Sequence, residues 1–469
     1  MNTCATCSRW NTSRLRRPTR SSNSDDLTNR PAAIIPPNHS GRAAMIAPET
    51  TRLPIHFFVF SVFWFTYGAV LLPWLTPSAI HLFYQPGILS LVHVFTLGFI
   101  TSAIMGVMYR YVPALTRRSV AHPGLARFQF VAYAIGVAGM VSHFALGSWT
   151  GLWWSAALVL AGVILFAINL LPLLWIRLGR GVAETGMFVA IGFLILAALL
   201  GLLMGIEEAH GFVLGNLVTS LGCHVTFAAI GWVTLAICAA SHRLVPAFIL
   251  PKKLLPRMAA LWQIIALAVA TLGLGTSLLL QLPGVWCWSL TAAGALLVYA
   301  VIMATLVGSR RTAIDWSLGH ALTGMLWLIV AIALSQAVTW LGGWSIEGSS
   351  LAGALVTAAL LGWAGNFIIG MSYQLFPGVV VRVRAALRFP AFTIAELSVS
   401  WPRPFILLGF NAGVTLIAAA FMFRTPTLAT VGGWLVLGAV VPYTAIISWT
   451  LSFAYRASMR PSRQSLSLF

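Results

Sequence analysis

After about fifty mostly polar positions, apolar runs recur along the rest of the chain, each long enough to cross about 30 Å of hydrocarbon at about 1.5 Å per helical residue. Twelve such runs are delimited, at 54–76, 87–112, 128–148, 151–177, 184–206, 215–242, 257–280, 285–307, 317–341, 350–375, 403–423 and 430–455. Only short loops separate them. The pattern predicts an all-α polytopic membrane protein, with a twelve-span membrane domain over 53–456, an N-terminal tail at 1–52 and a short C-terminal tail at 457–469. The first tail is rich in Ser, Thr, Asn, Pro and Arg, lacks the apolar residues for a core, and is expected to be disordered. Its Cys4 and Cys7 have no second pair to complete a metal site and read as a solvated accidental pair. Met45 is an alternative start, and no secretory signal precedes the first span.

Composition agrees: 59% of residues are hydrophobic and 8% charged, where soluble domains use about 25% charged residues. The formal net charge of +19 raises the question of a nucleic-acid partner, and its placement answers it. With the N-terminal tail inside, 27 of the 28 Lys and Arg fall on the inner side, including eight Arg in the tail, Arg117, Arg118, Lys252, Lys253, Arg310 and Arg311. Only Arg424 falls outside. This is the positive-inside bias, which orients both termini toward the cytoplasm of a bacterial inner membrane and leaves the lipid bilayer, not nucleic acid, as the partner of the basic residues. Glu207, Glu208 and Glu347 mark the outer side, with Trp74, Trp149, Trp153, Trp286, Trp340 and Trp344 as an aromatic belt.

One motif occurs three times, in spans 2, 6 and 10. It runs from Gly98-Phe99 through Gly106 and Arg110 to Pro113, from Gly231-Trp232 through Ala239 and Arg243 to Pro246, and from Gly362-Trp363 through Gly370 and Gln374 to Pro377. Glycine to proline is fifteen residues in each copy. Small residues at the start and eight positions later are expected to let helix backbones approach closely, and the proline to end the span. Three copies at equal phase imply four-helix units in a pseudo-threefold arrangement, with spans 2, 6 and 10 as equivalent inner helices.

Candidate chemistry rests on histidine, since an ionisable or metal-binding group within hydrocarbon is costly and so points to function. His39 lies in the tail, His122 in an inner loop, His81 and His210 in outer loops, and His56, His242 and His320 near inner span ends. His93, His143 and His224 share the outer third of the membrane. His93 and His224 stand five and seven residues before the repeat glycine, so on regular helices their facings differ by roughly 160°. Each of the three reads either as a cofactor or metal ligand or as a neutral imidazole hydrogen-bonded to a neighbouring helix. Cys223, Cys238 and Cys287 read as small hydrophobes.

Twelve spans in groups of four, with segments such as His93-Val-Phe-Thr-Leu-Gly and His224 followed by Gly231-Trp232 and His242-Arg243-Leu-Val-Pro246, resemble the haem-copper oxidase subunit I family over 54–455. The resemblance implies that spans 2, 6 and 10 line pores for haem and copper, with His93 matching a haem ligand and His224 a copper ligand. It departs from the family in span 7, which lacks the paired copper histidines, and in span 10, which lacks both haem histidines. The full three-imidazole copper centre cannot be assembled from these residues. The sequence resembles the divergent oxidase-like membrane proteins, or the related nitric-oxide-response haem and copper proteins called NnrS, more than a working terminal oxidase. The reading is therefore a haem- or copper-binding protein linked to respiration or nitric-oxide response, with cofactor ligands among His93, His224 and His143, metal ligands His93 and His224, and respiratory-chain subunits as partners.

Two other classes stay open. A secondary transporter or permease suits twelve spans, although such chains usually repeat by six-helix halves and use a buried carboxylate for coupling, and here Asp and Glu fall only at span ends, in loops or in the tail. A non-catalytic assembly partner is compatible with the same pattern. The basic stretch 378–402 reads as an interfacial loop on anionic lipid.

Overall fold

The computed structural model describes residues 51–82, 84–211, 216–253, 256–341 and 349–456. Cys4, Cys7, His39, Met45, Trp344, Glu347 and the C-terminal tail lie outside them. Twelve helices have the length and apolarity to cross a membrane. They are α1 Leu53–Ala79, α2 Pro86–Thr116, α3 Pro123–Ala145, α4 Trp149–Trp175, α5 Val182–His210, α6 Leu217–Ile249, α7 Arg257–Leu279, α8 Val285–Gly308, α9 Trp316–Trp340, α10 Ser350–Ala386, α11 Arg403–Phe423 and α12 Pro426–Ser452. There is no strand among the described residues. The inner helices α2, α6 and α10 bury 67%, 67% and 83% of an apolar 18-residue stretch, against 33–56% for the other nine. These three are thus the core of the bundle.

The reason is visible at the repeat glycines. A Cβ on Gly98 would lie 2.5 Å from Trp64, one on Gly231 2.5 Å from Phe193, and one on Gly362 2.6 Å from Trp327. Each glycine is thus a socket for an aromatic ring from the helix that precedes it, where close backbone approach was expected. Seven residues earlier on the same preceding helices, Phe57, Gly186 and His320 meet the second small position, at Gly106, Ala239 and Gly370. In lipid, where burying apolar surface gives no drive to associate, this complementarity of shape holds helices together.

Directed bonds follow the same phase. The residue after the glycine reaches the previous inner helix: Trp232 Nε1 donates to Thr101 Oγ1 at 3.0 Å, and Trp363 Nε1 to Thr234 Oγ1 at 3.3 Å. At the third junction the corresponding residues are Phe99 and Gly365, so donor and acceptor are absent together, which leaves neither group unsatisfied. Eleven residues after the glycine, each inner helix meets the first turns of the next: Tyr109 Oη donates to Gln129 (3.2 Å), His242 Nε2 lies 2.9 Å from Gln263 Oε1, and the Arg403 guanidinium sits 4.4 Å from the Tyr373 ring.

Two expectations need correction. The repeat prolines do not end their spans: α2 runs past Pro113 to Thr116, α6 past Pro246 to Ile249, and α10 past Pro377 to Ala386. They sit near the polar end of the bundle, where a carbonyl freed by the missing N–H is cheap to satisfy. The inner helices are also not regular. Each carries a π-helical turn, at Val94–Thr101, Thr226–Thr234 and Ala358–Gly365, ending at the same repeat position. The Leu97 carbonyl, in the first of these turns, accepts from the Tyr133 and Ser102 hydroxyls, both at 2.9 Å.

Loops rich in Lys and Arg gather at one end, here called the basic end. Lys252 N bonds Ser309 O at 2.7 Å, Arg257 Nη2 bonds Gly179 O at 2.8 Å, and the buried Arg384 Nη1 caps Phe453 O and Arg456 O, both at 2.7 Å. The opposite end carries the exposed pairs Trp74 with Trp434 and Trp286 with Trp340, and Tyr84 Oη donating to Glu208 Oε1 at 3.0 Å.

Replacing Gly98 by Val is expected to lower stability by about 1–3 kcal/mol, because the ring of Trp64 must move; Gly294→Ala, where nothing lies within 4 Å, is expected to be near neutral. Thermal denaturation in detergent checks both. Burial, and then the Glu208 carboxylate, push the Tyr84 phenol well above its ordinary range. A raised phenol favours the folded state at pH below the unfolded value of about 10, and the contribution is lost only as pH climbs through the raised value. In a titration followed by phenolate absorbance, wild type minus Tyr84→Phe is therefore expected to show little phenolate at about pH 10.

Candidate functional site

His93 closes the regular first part of α2, immediately before the π turn, and its Nδ1 lies 2.7 Å from the Leu89 carbonyl one turn back. A carbonyl only accepts, so Nδ1 carries the proton and Nε2 presents its lone pair. The ring stacks on Phe144 of α3, with centroids 4.7 Å apart and planes 25° off parallel. His224 is held in the same manner from another helix: its Nδ1 donates to the Ala197 carbonyl of α5 at 3.0 Å. Gly201, one turn further along α5, makes room for the ring, since a Cβ there would lie 3.0 Å from the imidazole Cε1.

Both rings lie among the helices with part of their surface accessible, His93 on α2 and His224 on α6.

His143 is not brought to this pair. Its neighbour Phe144 faces His93, and successive helical residues diverge by about 100°, so His143 turns to the start of α4. There its ring covers Gly151, where a Cβ would fall 2.1 Å from the imidazole Cε1, and its buried Nδ1 has no hydrogen-bond partner. His81 and His210 lie at the end of the bundle opposite the basic one, near the bond of Tyr84 to Glu208. His242 and His320 are nearer the basic end. His320 is fully buried, with Nδ1 2.9 Å from Asn366 Oδ1; Asn366 Nδ2 donates to Asn411 Oδ1 (2.8 Å), which also accepts from Trp327 Nε1 (2.9 Å). This network ties α9, α10 and α11 together and is structural in character.

Two imidazoles with free Nε2 atoms suit a group that takes one or two nitrogen ligands, such as a haem iron or a two-coordinate copper ion. They do not suit a copper centre of three imidazoles, because no group of three or more His, Cys, Asp or Glu able to hold a metal occurs among the described residues. The carbonyl anchors on Nδ1 are the outer-shell contacts that orient ligating histidines in general. Sequence reasoning missed them, along with the Phe144 stack, since none has a signal in spacing.

No family model matches the chain, and no curated protein matches it. Among solved structures, a heme-copper terminal oxidase dimer determined by cryo-electron microscopy matches with a TM-score of 0.64 at 13% sequence identity, covering 88% of this chain and 85% of that one. The twelve-helix, all-α membrane domain with three equivalent inner helices is therefore of the haem-copper oxidase subunit I fold.

Proposed function

We propose that this chain binds haem or copper between His93 and His224, and serves respiration or the response to nitric oxide without assembling a complete oxygen-reducing centre. The observation that carries the reading is a shared preparation: two imidazoles on different inner helices, each oriented through Nδ1 by a carbonyl and each with Nε2 free of hydrogen bonds. A neutral histidine serving only to join helices would spend a ring nitrogen on another helix, as His224 does on Ala197, whereas His93 spends its own within its own turn. The fold of the solved oxidase supports the haem-copper class. A bound haem or copper would supply one-electron chemistry or a site for a diatomic ligand. The protein's own part is to fix both tautomers and, through Phe144, the plane of the His93 ring.

Placement in a bacterial inner membrane with both termini cytoplasmic, and association with respiratory-chain subunits, belong to the same proposal; the basic end supports the orientation. Absorption spectra and metal analysis on purified full-length protein, expressed with haem and copper supplied, test it. Wild type is expected to show a haem band or bound copper, His93→Ala and His224→Ala to retain under about a tenth of it, and His143→Ala to keep it. Clean spectra and no metal in wild type would overturn the reading and move the function to transport or assembly.

A further inference from the structure

Eleven residues after the repeat glycine, the first two inner helices place a polar side chain that is fully used: Tyr109 donates to Gln129, and His242 bonds Gln263. In the third copy the same position is Tyr373. Its side chain is 2% exposed, yet its hydroxyl has no hydrogen-bond partner among the described residues.

Two more unpaired polar atoms stand beside it. His320 of α9 holds the place that Phe57 and Gly186 hold in the first two units, and its ring centroid lies 5.9 Å from that of Tyr373. Its Nδ1 faces Asn366 Oδ1, an acceptor, since Asn366 Nδ2 already donates to Gly362 O and Asn411 Oδ1. Nδ1 therefore carries the proton, and the buried Nε2 presents a lone pair that no described residue meets. Arg403, at the start of α11, sets its guanidinium 4.4 Å from the centre of the Tyr373 ring, and its buried Nε–H has no acceptor among the described residues.

Two donors and one acceptor thus gather around one phenol ring, each losing its hydration without return if left unmet. Buried water typically makes about three hydrogen bonds to groups of this kind. We propose that one water molecule is bound between α9, α10 and α11, accepting from Tyr373 Oη–H and Arg403 Nε–H and donating to His320 Nε2. The chemistry of the three groups selects it: the Nε2 lone pair repels an anion, the guanidinium repels a cation, and a small neutral molecule that both donates and accepts satisfies all three. The water extends the network of Asn366 and Asn411 toward the basic end, to within one residue of Gln374 and its bond to Asp315.

X-ray radiolysis of the full-length protein in isotopically labelled water, read by mass spectrometry, tests the assignment, because hydroxyl radicals formed at a bound water oxidise the side chain that holds it. Tyr299 and Tyr443 are the references: both are as deeply buried, and their hydroxyls are paired with those of Ser241 and Ser372. Tyr373 is expected to take up label several-fold faster than either. A thermal melt of Tyr373→Phe gives an independent sign. Deleting a hydroxyl that holds water forfeits a bond and lowers the melting temperature, whereas deleting one that is dry and unpaired leaves it unchanged or raises it. Labelling of Tyr373 no faster than that of Tyr299 and Tyr443 would overturn the proposal, including the case in which the phenol bonds His320 directly; so would an unchanged or higher melting temperature for Tyr373→Phe. Neither readout depends on haem, copper, His93 or His224.

Discussion

Lipid tails give an apolar helix no reason to prefer another helix, so a twelve-helix bundle must be held by shape and by the few polar groups it can satisfy internally. Here the shape is an aromatic ring set into a glycine, made three times between α1 and α2, α5 and α6, and α9 and α10. Everything else keeps that phase: the π turns end at one repeat position, the indole bonds follow the glycine, and the contacts to the next helix fall eleven residues on.

The spans were legible in the sequence because their signal, length of apolar run, depends on nothing but the bilayer. The threefold phase was legible too, from Gly98, Gly231 and Gly362. What fills those glycines was not, because Trp64, Phe193 and Trp327 lie on other helices and carry no periodic mark. The prolines misled. Fifteen residues after each glycine they look like terminators, yet a proline near the polar interface interrupts only one backbone bond, and α10 continues nine residues beyond Pro377. The π turns had no sequence signature. They occur also in α10, which has no histidine at the matching depth, and so belong to the architecture more than to the site.

For the site, the sequence marked which spans carry the histidines but not what their rings touch. His93 stacks on Phe144, while His143 lies over Gly151 at the start of α4. Carbonyl anchors on Nδ1 come from Leu89 within the same turn and from Ala197 on a different helix, and only the fold brings the second within reach.

The ring of inner helices has two junctions joined by an indole-to-threonine bond and a third where Phe99 and Gly365 hold the corresponding positions and no such bond is made. The chain enters the bilayer from its N-terminus, so α6 can dock on α2 through a directed bond, then α10 on α6 through another. The contact between α10 and α2 forms later than that between α2 and α6, since α10 is made last of the three. It is also the one that demands no donor to be held unsatisfied in lipid while it waits. The order of synthesis and the chemistry of the seams thus agree: the ring closes on its greasy joint.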